Sequence, residues 1–301
     1  MPKFDFEEST AIVTGASRGI GPHIAAALAE RGARIALVAR TAPELEKVAH
    51  ELRERGARVM TVPGDVISTW DRRAIVQSVE RELGPVDVLV NNAGGDPQRE
   101  FHRLSEAELE DVIDLNLTSA VILTRLVLPG MLARERGHVV NISSMAGRVS
   151  FPATEAYAAA KDGVIGFTRV LRADYRQRGV SASALILGPV RDAGVGERTA
   201  NEVGIALPPR AFTVSPVEVG RATVRAIARD KAEVALLPGP GRTLRAVMDR
   251  FPGLGPRMNR LAGADATMRT VTEYREREAI GAYARRNASA TPTRISRVAA
   301  R

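Results

Sequence analysis

The sequence predicts an α/β protein built on one parallel sheet of seven strands, with helices on both faces. Seven apolar runs that suit strands alternate with stretches of helical periodicity, and such alternation produces a parallel sheet with covered faces. A chain of 301 residues, 45% of them hydrophobic, is long enough to bury one sizeable core. The predicted strands are Ala11–Thr14, Arg34–Ala39, Arg58–Val62, Val86–Asn91, His138–Ile142, Val180–Ile186 and Glu233–Leu237.

Helical patterns lie between these strands. Ser105 and Glu108 have the form of a capping box, which predicts a long helix that starts there and runs past Asn116. Gly137 and Gly179 each separate a helical pattern from the next strand, where a left-handed cap favours glycine. The other predicted helices are Pro22–Arg31, Pro43–Arg55, Ala74–Leu83 and Ala156–Arg178.

Composition excludes several classes of site. With no cysteine, the chain has no disulfide, thiolate metal site or cysteine nucleophile, and its four scattered histidines predict no metal site. No apolar run approaches the roughly 18 residues that span a bilayer, and the start of the chain lacks the features of a secretion signal. We therefore expect a cytoplasmic protein.

The net charge of +8 is concentrated near the end of the chain. Residues 285–301 carry five arginines and no acidic residue, which accounts for +5 of that charge. The rest of the chain has no basic stripe interleaved with aromatic residues, the pattern that stacks on bases. We expect no nucleic-acid partner.

The chain changes character after Gly239. Two short amphipathic helices, Thr243–Phe251 and Pro256–Leu261, are predicted there. This extension either docks on a membrane or a partner, or packs over the core or the substrate mouth, and packing is the favoured alternative. The predicted organisation is a core domain at 1–240, a helical extension at 241–283 and a basic, disordered tail at 284–301.

A glycine-rich turn joins the first predicted strand to the first predicted helix. Gly15, Gly19 and Gly21 are spaced so that the backbone can turn tightly and approach a pyrophosphate at the helix N-terminus. Pro22 follows, and a proline is accepted in a first helical turn. The alternative is a plain glycine-rich turn without a ligand.

Tyr157 and Lys161 lie four residues apart in a predicted helix, which places both side chains on one face. A free phenol has a pKa of about 10, and a neighbouring ammonium favours its ionised form. We expect Lys161, with a bound cofactor cation and some burial, to lower the pKa of Tyr157 toward neutrality, where the phenol can donate or accept a proton. Taken alone, such a pair is also typical of a solvated helix face.

Five motifs, in their order and spacing, resemble the short-chain dehydrogenase/reductase family of the classical type, over roughly residues 8–240. The resemblance implies a Rossmann-type doubly wound fold, an oxidoreductase that interconverts a ketone or aldehyde and an alcohol, and a homodimer or homotetramer. The substrate is expected to be a small to medium-sized, apolar molecule. The motifs are the glycine turn, the run from Asn91 to Gly94, Asn116, Ser144 and the Tyr157–Lys161 pair.

The resemblance implies a catalytic set of Asn116, Ser144, Tyr157 and Lys161. Ser144, thirteen positions before Tyr157, would hydrogen-bond the substrate oxygen and stabilise its developing charge, with Ser143 as the alternative hydroxyl. Tyr157 would protonate that oxygen or remove its proton, and Lys161 would lower the phenol pKa and hold the nicotinamide ribose. Asn116 would keep a helix kink open and anchor a water, or it would simply pair with the backbone.

The resemblance also implies a nicotinamide dinucleotide cofactor. Arg18 and Arg40 stand where members that prefer NADP(H) carry arginines, and no acid ends the second strand to grip an NAD ribose. Either arginine could instead be a solvated surface charge. The implied cofactor-binding residues are Gly15, Ser17, Arg18, Gly19, Ile20, Gly21, Arg40, Asp65 (at the adenine), Val66, Asn92, Gly94, Tyr157, Lys161, Pro189 and Val190.

The segment after the sixth strand departs from the family pattern. Gly188 and Pro189 stand in the reverse of the usual order, with no threonine nearby, so the backbone at Val190 would replace the usual contact to the nicotinamide amide. The loop at 192–214 falls where the family builds a mobile substrate lid. Two other functions stay open: an NAD-dependent alcohol dehydrogenase of the same family, and a non-catalytic nucleotide-binding or scaffold protein.

Overall fold

The computed structural model describes residues 4–206, 208–237, 247, 250, 251, 253–261 and 263–289. Its strands are β1 (Thr10–Thr14), β2 (Arg34–Ala39), β3 (Val59–Pro63), β4 (Val86–Asn91), β5 (Gly137–Ser144), β6 (Val180–Leu187) and β7 (Glu233–Leu236). In this part of the chain, these strands form one parallel sheet in the order β3-β2-β1-β4-β5-β6-β7. Strands β1, β4, β5 and β6 are buried almost throughout, as expected for strands covered on both faces.

Helices cover both faces of the sheet. Buried residues of α1, α2 and α8 share one apolar cluster with the sheet, and those of α3, α5 and α6 share another on the opposite face. Short 3₁₀ turns at 101–103, 145–147, 176–178 and 210–212 connect elements. In order, the α-helices of the described residues are α1 (Gly21–Ala29), α2 (Ala42–Arg53), α3 (Thr69–Leu83), α4 (Glu106–Ile113), α5 (Ser119–Ala133), α6 (Glu155–Tyr175), α7 (Gly194–Val203), α8 (Pro216–Ala228), α9 (Leu254–Leu261) and α10 (Ala264–Ser289).

The predicted fold class is confirmed. All seven predicted strands are present, with ends that differ from the predictions by at most two residues. The chain builds the sheet outward from β1 in one direction through β2 and β3, then returns to place β4 on the other side of β1. This reversal opens a crevice at the carboxyl ends of β1 and β4, the position where doubly wound sheets bind ligands.

Two glycines that precede strands are required for different reasons. Gly179 has a φ of 80° in a left-handed cap before β6, as predicted, and an added Cβ there would overlap the carbonyl of Glu135. Gly137 is the first residue of β5, and Glu135, with a φ of 49°, takes the left-handed position in that turn instead. The predicted left-handed cap at Gly137 is therefore wrong. Glycine is required at position 137 because a side chain there would overlap Met131.

Helices α4 and α5 form one long apolar helix, interrupted by a π-turn at Asp114–Thr118. It begins at the predicted capping box, in which Ser105 Oγ accepts from the Glu108 N–H and the Glu108 carboxylate accepts from the Ser105 N–H. By length and composition, Glu106–Ala133 could cross a membrane, with a mean hydropathy of 1.5 over an 18-residue window, so the expectation that no apolar run approaches a membrane span is wrong. Its inner side, which includes Leu123, packs in the core, and apolar core helices meet the same criteria.

The extension beyond β7 is described in part. Helix α9 covers the predicted helix Pro256–Leu261, whereas most of the predicted helix Thr243–Phe251 lies outside the described residues. Helix α10 lies mostly in the predicted helical extension at 241–283, although no helix bounds were predicted there. It continues to Ser289, into the segment for which we expect disorder; residues 290–301 lie outside the described part. Met268 and Val271 are buried, and α10 packs against α7. This part of the extension therefore packs on the body of the protein.

The cost of the close contact between Gly179 and the Glu135 backbone can be measured by comparison with Gly56. Gly56 has nearly the same φ, 82°, but no atom lies within 4 Å of a Cβ added there. We expect Gly56→Ala to lower the free energy of unfolding by about 1–2 kcal/mol, the cost of a left-handed non-glycine residue. Gly179→Ala should lower it by about 1–3 kcal/mol more, because the Glu135 backbone must move. Urea unfolding of both variants measures the difference, and equal losses would contradict the close approach.

Candidate active site

A cleft of about 1140 Å³ lies at the carboxyl edge of the sheet, at the reversal between β1 and β4. Its lining includes every predicted site residue except Gly21 and Asn116. These two contact residues of the lining, Gly21 at Gly15 and Asn116 at Gly95. The structure thus brings the whole predicted set together around one cavity.

The glycine turn forms one end of the cleft. Gly15 and Gly19 adopt left-handed φ values of 63° and 69°, and a side chain at Gly21 would overlap the Gly15 carbonyl. Helix α1 begins at Gly21, and no side chain caps its N-terminus in the described structure. The first N–H groups of α1 therefore have no side-chain acceptor, which suits a helix N-terminus that binds a phosphate.

The residues beside this turn fit a dinucleotide. Asn92 Nδ2 donates to the carbonyls of Thr14 at 2.8 Å and Gly15 at 3.1 Å, whereas its buried Oδ1 has no partner among the described residues. A buried acceptor without a donor points to a ligand group that donates to it. The Arg40 side chain is 72% exposed, and among the described residues it makes only a long ion pair to Asp65, 3.9 Å between Nη1 and Oδ2, so its charge remains available to a phosphate.

Ser144, the last residue of β5, and Tyr157 in α6 bring two hydroxyl groups together. The Ser144 hydroxyl lies close enough to the Tyr157 phenol to lower its pKa, and Ser144 Oγ also accepts from the Ala146 N–H at 3.1 Å. Ser143 is committed elsewhere, because its buried hydroxyl donates to the Lys161 carbonyl at 2.8 Å. Ser144, and not Ser143, is therefore the hydroxyl next to the phenol.

Lys161 lies one helical turn beyond Tyr157 and is almost completely buried, with 4% of its surface exposed. Its ammonium is 5.5 Å from the centre of the Tyr157 ring. Lys161 Nζ donates to the carbonyl of Ile142 at 3.0 Å, so a strand of the central sheet fixes its position.

Asn116 lies in the π-turn between α4 and α5. Its amide donates to the carbonyls of Gly95 at 2.7 Å and Val112 at 2.9 Å, and its oxygen accepts from the Gly95 N–H at 3.2 Å. An added Cβ at Gly94 would be 2.7 Å from the Asn116 oxygen and 3.2 Å from Lys161 Nζ, so both side chains converge on this backbone. The kink that we expect at Asn116 is present, and these backbone bonds hold it open.

The pKa of Tyr157 differs from the expectation. Burial raises the pKa of this phenol to about 12. The interaction with the Ser144 hydroxyl lowers this pKa, and the negative charge of Asp96 raises it. Burial also lowers the pKa of Lys161 to about 8. The ammonium does not reverse the effect on the phenol, because it is directed at the Ile142 carbonyl. Burial thus acts against the expected lowering of the Tyr157 pKa, and Lys161 does not offset it in the protein by itself; a lowering with the cofactor cation bound stays a prediction.

Asp96 is a titratable residue of the cleft that the sequence reasoning missed. Burial raises its pKa to about 7; a hydrogen bond from the Gln98 N–H opposes this, and the charge of Glu155 adds to it. Its negative charge acts on Tyr157, so it lies close to the phenol. An aspartate two positions after Gly94 reads as an ordinary turn residue, because sequence alone gives no measure of its burial.

The segment after β6 departs from the family pattern in sequence but forms an ordered start to the lid. Val190 makes a parallel bridge to Val214, through hydrogen bonds from the Val214 N–H to the Pro189 carbonyl at 2.9 Å and from the Arg191 N–H to the Val214 carbonyl at 3.0 Å. In this pattern the N–H and C=O of Val190 itself are not used by the bridge. The backbone of Val190 is thus placed at the cleft as expected, and its contact to a nicotinamide amide stays a prediction.

Comparison with known proteins gives the family. The model of the short chain dehydrogenase family matches residues 9–203. The chain belongs to the short-chain dehydrogenases. It is thus a member of an oxidoreductase family.

Curated relatives of this short-chain dehydrogenase include reductases. It is 35% identical over 231 residues to the ketoacyl reductase HetN of a Nostoc species, covering 77% of this chain and 79% of that protein. It is 36% identical over 184 residues to the 3-oxoacyl-[acyl-carrier-protein] reductase FabG of Vibrio cholerae, covering 61% of this chain and 74% of that protein.

Solved structures of similar proteins share the fold over most of the chain. A variant of actinorhodin polyketide ketoreductase, solved with NADPH, has a TM-score of 0.69 and 31% identity, covering 79% of this chain and 99% of that one. A metagenomic short-chain oxidoreductase solved with NADP has a TM-score of 0.66 and 31% identity, covering 78% of this chain and 99% of that one.

The raised pKa of Asp96 predicts that the stability of the protein depends on pH. The folded-state pKa of about 7 lies above the ordinary 3.8, so the folded protein binds this proton more tightly than the unfolded chain, and stability falls as pH rises through this range. The Asp96→Asn variant has no carboxyl group at this position and should not lose stability in this way as pH rises. We expect the variant to be more stable than the wild type at pH 8, by at most about 4 kcal/mol, because each pKa unit corresponds to about 1.4 kcal/mol and a carboxylate that is not fully buried keeps part of its hydration.

At pH 4 the two proteins should have similar stability, since Asp96 is then protonated. Thermal unfolding at both pH values measures the effect, with Asp111→Asn, at an exposed position, as the control. A gain in stability that does not grow with pH would contradict the buried, proton-retaining carboxyl.

Proposed function

We propose that this short-chain dehydrogenase is an NADP(H)-dependent oxidoreductase that interconverts a ketone or aldehyde and an alcohol. The observation that carries the proposal is the convergence of Ser144, Tyr157 and Lys161 at one end of a cleft whose other end is the glycine turn. When bound, the dinucleotide supplies or accepts the hydride. The protein's own residues then have to orient the substrate and handle the proton and the charge on oxygen.

Tyr157 is the proposed general acid. With a pKa of about 12 the phenol is protonated at neutral pH, which is the state that donates a proton to the substrate oxygen. The neighbouring Ser144 hydroxyl offers a second donor to the same oxygen and stabilises charge that develops there. The reverse reaction requires the phenol to lose its proton first, which costs more free energy at this pKa. Reduction therefore uses the protonation state that the phenol holds at neutral pH, and oxidation should require a higher pH.

Lys161 and Asn116 are proposed to support the proton transfer. A lysine with a pKa of about 8 exchanges its proton readily near neutral pH, so it can act as a source that reprotonates the phenol. Asn116 fixes the backbone of Gly95 beside it, and a water on the Asn116 side would connect Lys161 to solvent. Lys161 would also hold the nicotinamide ribose.

The preference for NADP(H) rests on cations at the glycine-turn end. Arg18 is exposed at the cleft and Arg40 follows β2, where an acid would otherwise bind the ribose 2′-hydroxyl of NAD. The two similar structures described above were solved with NADPH and NADP, which supports the same choice.

The proposed substrate is a small to medium-sized, apolar carbonyl compound. Four apolar residues line the cleft with Ser144 and Tyr157, and they offer surface to an apolar chain: Leu115, Met145, Val149 and Phe151. The relatives are named as reductases of ketoacyl, 3-oxoacyl and polyketide compounds, and a 3-oxoacyl thioester is therefore the first class to test.

Replacement of the phenol tests the proposed function. The wild type should oxidise NADPH, followed by its absorbance, in the presence of a ketone from a panel that includes 3-oxoacyl thioesters. Tyr157→Phe should lower kcat by about 10²–10⁴-fold, the usual contribution of a general acid, and leave the Kd for NADPH nearly unchanged.

Tyr175→Phe is the matched control, since Tyr175 ends the same helix about 27 Å further along and does not line the cleft. Full activity of the Tyr157→Phe variant would remove Tyr157 as the acid. A wild type that binds NADPH but turns over no carbonyl or alcohol would favour the nucleotide-binding scaffold instead.

Arg40→Asp tests the cofactor preference. The carboxylate repels a 2′-phosphate and can accept a hydrogen bond from a ribose 2′-hydroxyl, so NADPH should bind about tenfold to hundredfold more weakly and NADH more tightly. Titration of each cofactor by fluorescence measures both constants. Arg55→Asp, at an exposed position outside the cleft lining, controls for the change in net charge. An unchanged ratio of the two constants would exclude Arg40 from the phosphate site.

A further inference from the structure

The lid helix α7 begins directly against the glycine turn. An added Cβ at Gly19 would lie 3.5 Å from the Cα and N atoms of Gly194, the first residue of α7. Arg198, one helical turn further along α7, lines the same cleft as Arg18. A residue of the lid is thus placed at the end of the cleft where the glycine turn would bind a phosphate.

Arg198 and Arg18 form a pair of like charges without a counter-ion. Burial and the neighbouring charge of Arg18 both lower the pKa of Arg198. Neither guanidinium makes a side-chain hydrogen bond or an ion pair within the described residues, and Glu51, which also lines the cleft, pairs with neither of them. Two cations that approach each other in a partly desolvated cleft are stabilised by an anion between them.

Glu202 is the carboxylate that would ordinarily neutralise Arg198, since the two residues are four apart on α7. Instead, Glu202 Oε2 is bound by Arg275 Nη2 of α10 at 2.6 Å, and its effect on the pKa of Arg198 is smaller than those of burial and Arg18. Arg275 also donates to Thr199 Oγ1 at 3.5 Å. The C-terminal helix therefore holds the carboxylate of the lid and leaves the lid's arginine without a partner.

The position of α7 is fixed on its other side as well. Thr199 is buried, and its hydroxyl donates to Gln98 Oε1 at 2.6 Å, in the segment that follows β4. Helix α7, which carries Arg198, is therefore held both by α10 and by Gln98 of the cleft lining.

We propose that Arg198 of the lid and Arg18 of the glycine turn together bind a phosphate of the dinucleotide, and that Arg275 creates this site by withdrawing Glu202 from Arg198. The inference rests on the proposed function and adds a cofactor-binding residue on the lid. The phosphate removes the repulsion between the two arginines, so cofactor binding stabilises α7 in its position against the glycine turn. The same chemistry is offered by the 2′-phosphate of NADP(H) and by the pyrophosphate that NAD(H) shares.

The test measures binding of NADPH and NADH to the full chain by fluorescence titration, without turnover. Arg198→Met should weaken NADPH binding about tenfold to hundredfold, as expected for the loss of a charged hydrogen bond. A loss confined to NADPH assigns the 2′-phosphate, and an equal loss for NADH assigns the pyrophosphate. The control is Arg210→Met, an exposed arginine of the lid region that does not line the cleft. Unchanged binding of both cofactors overturns the inference.

A second set of variants separates this role from a structural one. Arg275→Met frees Glu202 to pair with Arg198 and should weaken NADPH binding, and adding Glu202→Gln should restore it. If Arg275 only supported the fold, the double variant would bind no better than Arg275→Met, and that result overturns the proposed role of Arg275. Arg277→Met, on the same helix and 79% exposed at its side chain, is the control. A wild type that binds neither cofactor would instead refute the proposed function itself.

Discussion

The junction of Thr14 and Asn92 determines the geometry of the whole candidate site. Thr14 Oγ1 accepts from the N–H groups of Asn92 and Ala93, both at 3.0 Å, and Asn92 Nδ2 returns a hydrogen bond to the Thr14 carbonyl at 2.8 Å. These bonds tie the ends of β1 and β4 together where the strand order reverses. The glycine turn leaves this junction on one side and the Gly94–Gly95 backbone on the other. Because Asn116 and Lys161 converge on that backbone, the proposed catalytic residues and the glycine turn are positioned from a single point.

The two ends of the cleft have opposite electrostatic requirements. At the catalytic end, burial favours neutral groups, which keeps the Tyr157 phenol and a fraction of Asp96 protonated and makes the Lys161 proton easier to lose. At the glycine-turn end, Arg18 and Arg198 place two cationic side chains in the cleft lining. A ligand that is polyanionic at one end and carries a neutral reacting group at the other satisfies both requirements. A nicotinamide dinucleotide with a carbonyl substrate has this distribution of charge.

The sequence predicted what depends on local pattern and could not predict what depends on burial and distant contacts. Strands, the capping box at Ser105 and the spacing of Ser144 to Tyr157 are local features, and the structure contains them where expected. The direction of the Tyr157 pKa depends on which acceptor the ammonium reaches, and the Ile142 carbonyl is 19 residues away in sequence. The bounds of helix α10 were not predicted because it has few large apolar residues, and its position depends on contacts with α7, not on its own periodicity.

Two adjacent residues of α10 connect the ends of the cleft. Arg275 binds Glu202 of the lid, and the next residue, Glu276, binds Arg99 at 3.0 Å in the segment after β4. Arg99 also binds Glu108 at 2.5 Å, the capping residue of the helix that leads into the π-turn of Asn116. The Arg99 and Glu276 side chains are only 13% and 12% exposed, so loss of either partner would leave a desolvated charge without a counter-ion. This cost restricts α10 to one register, and α10 thereby fixes α7 relative to the proposed catalytic residues.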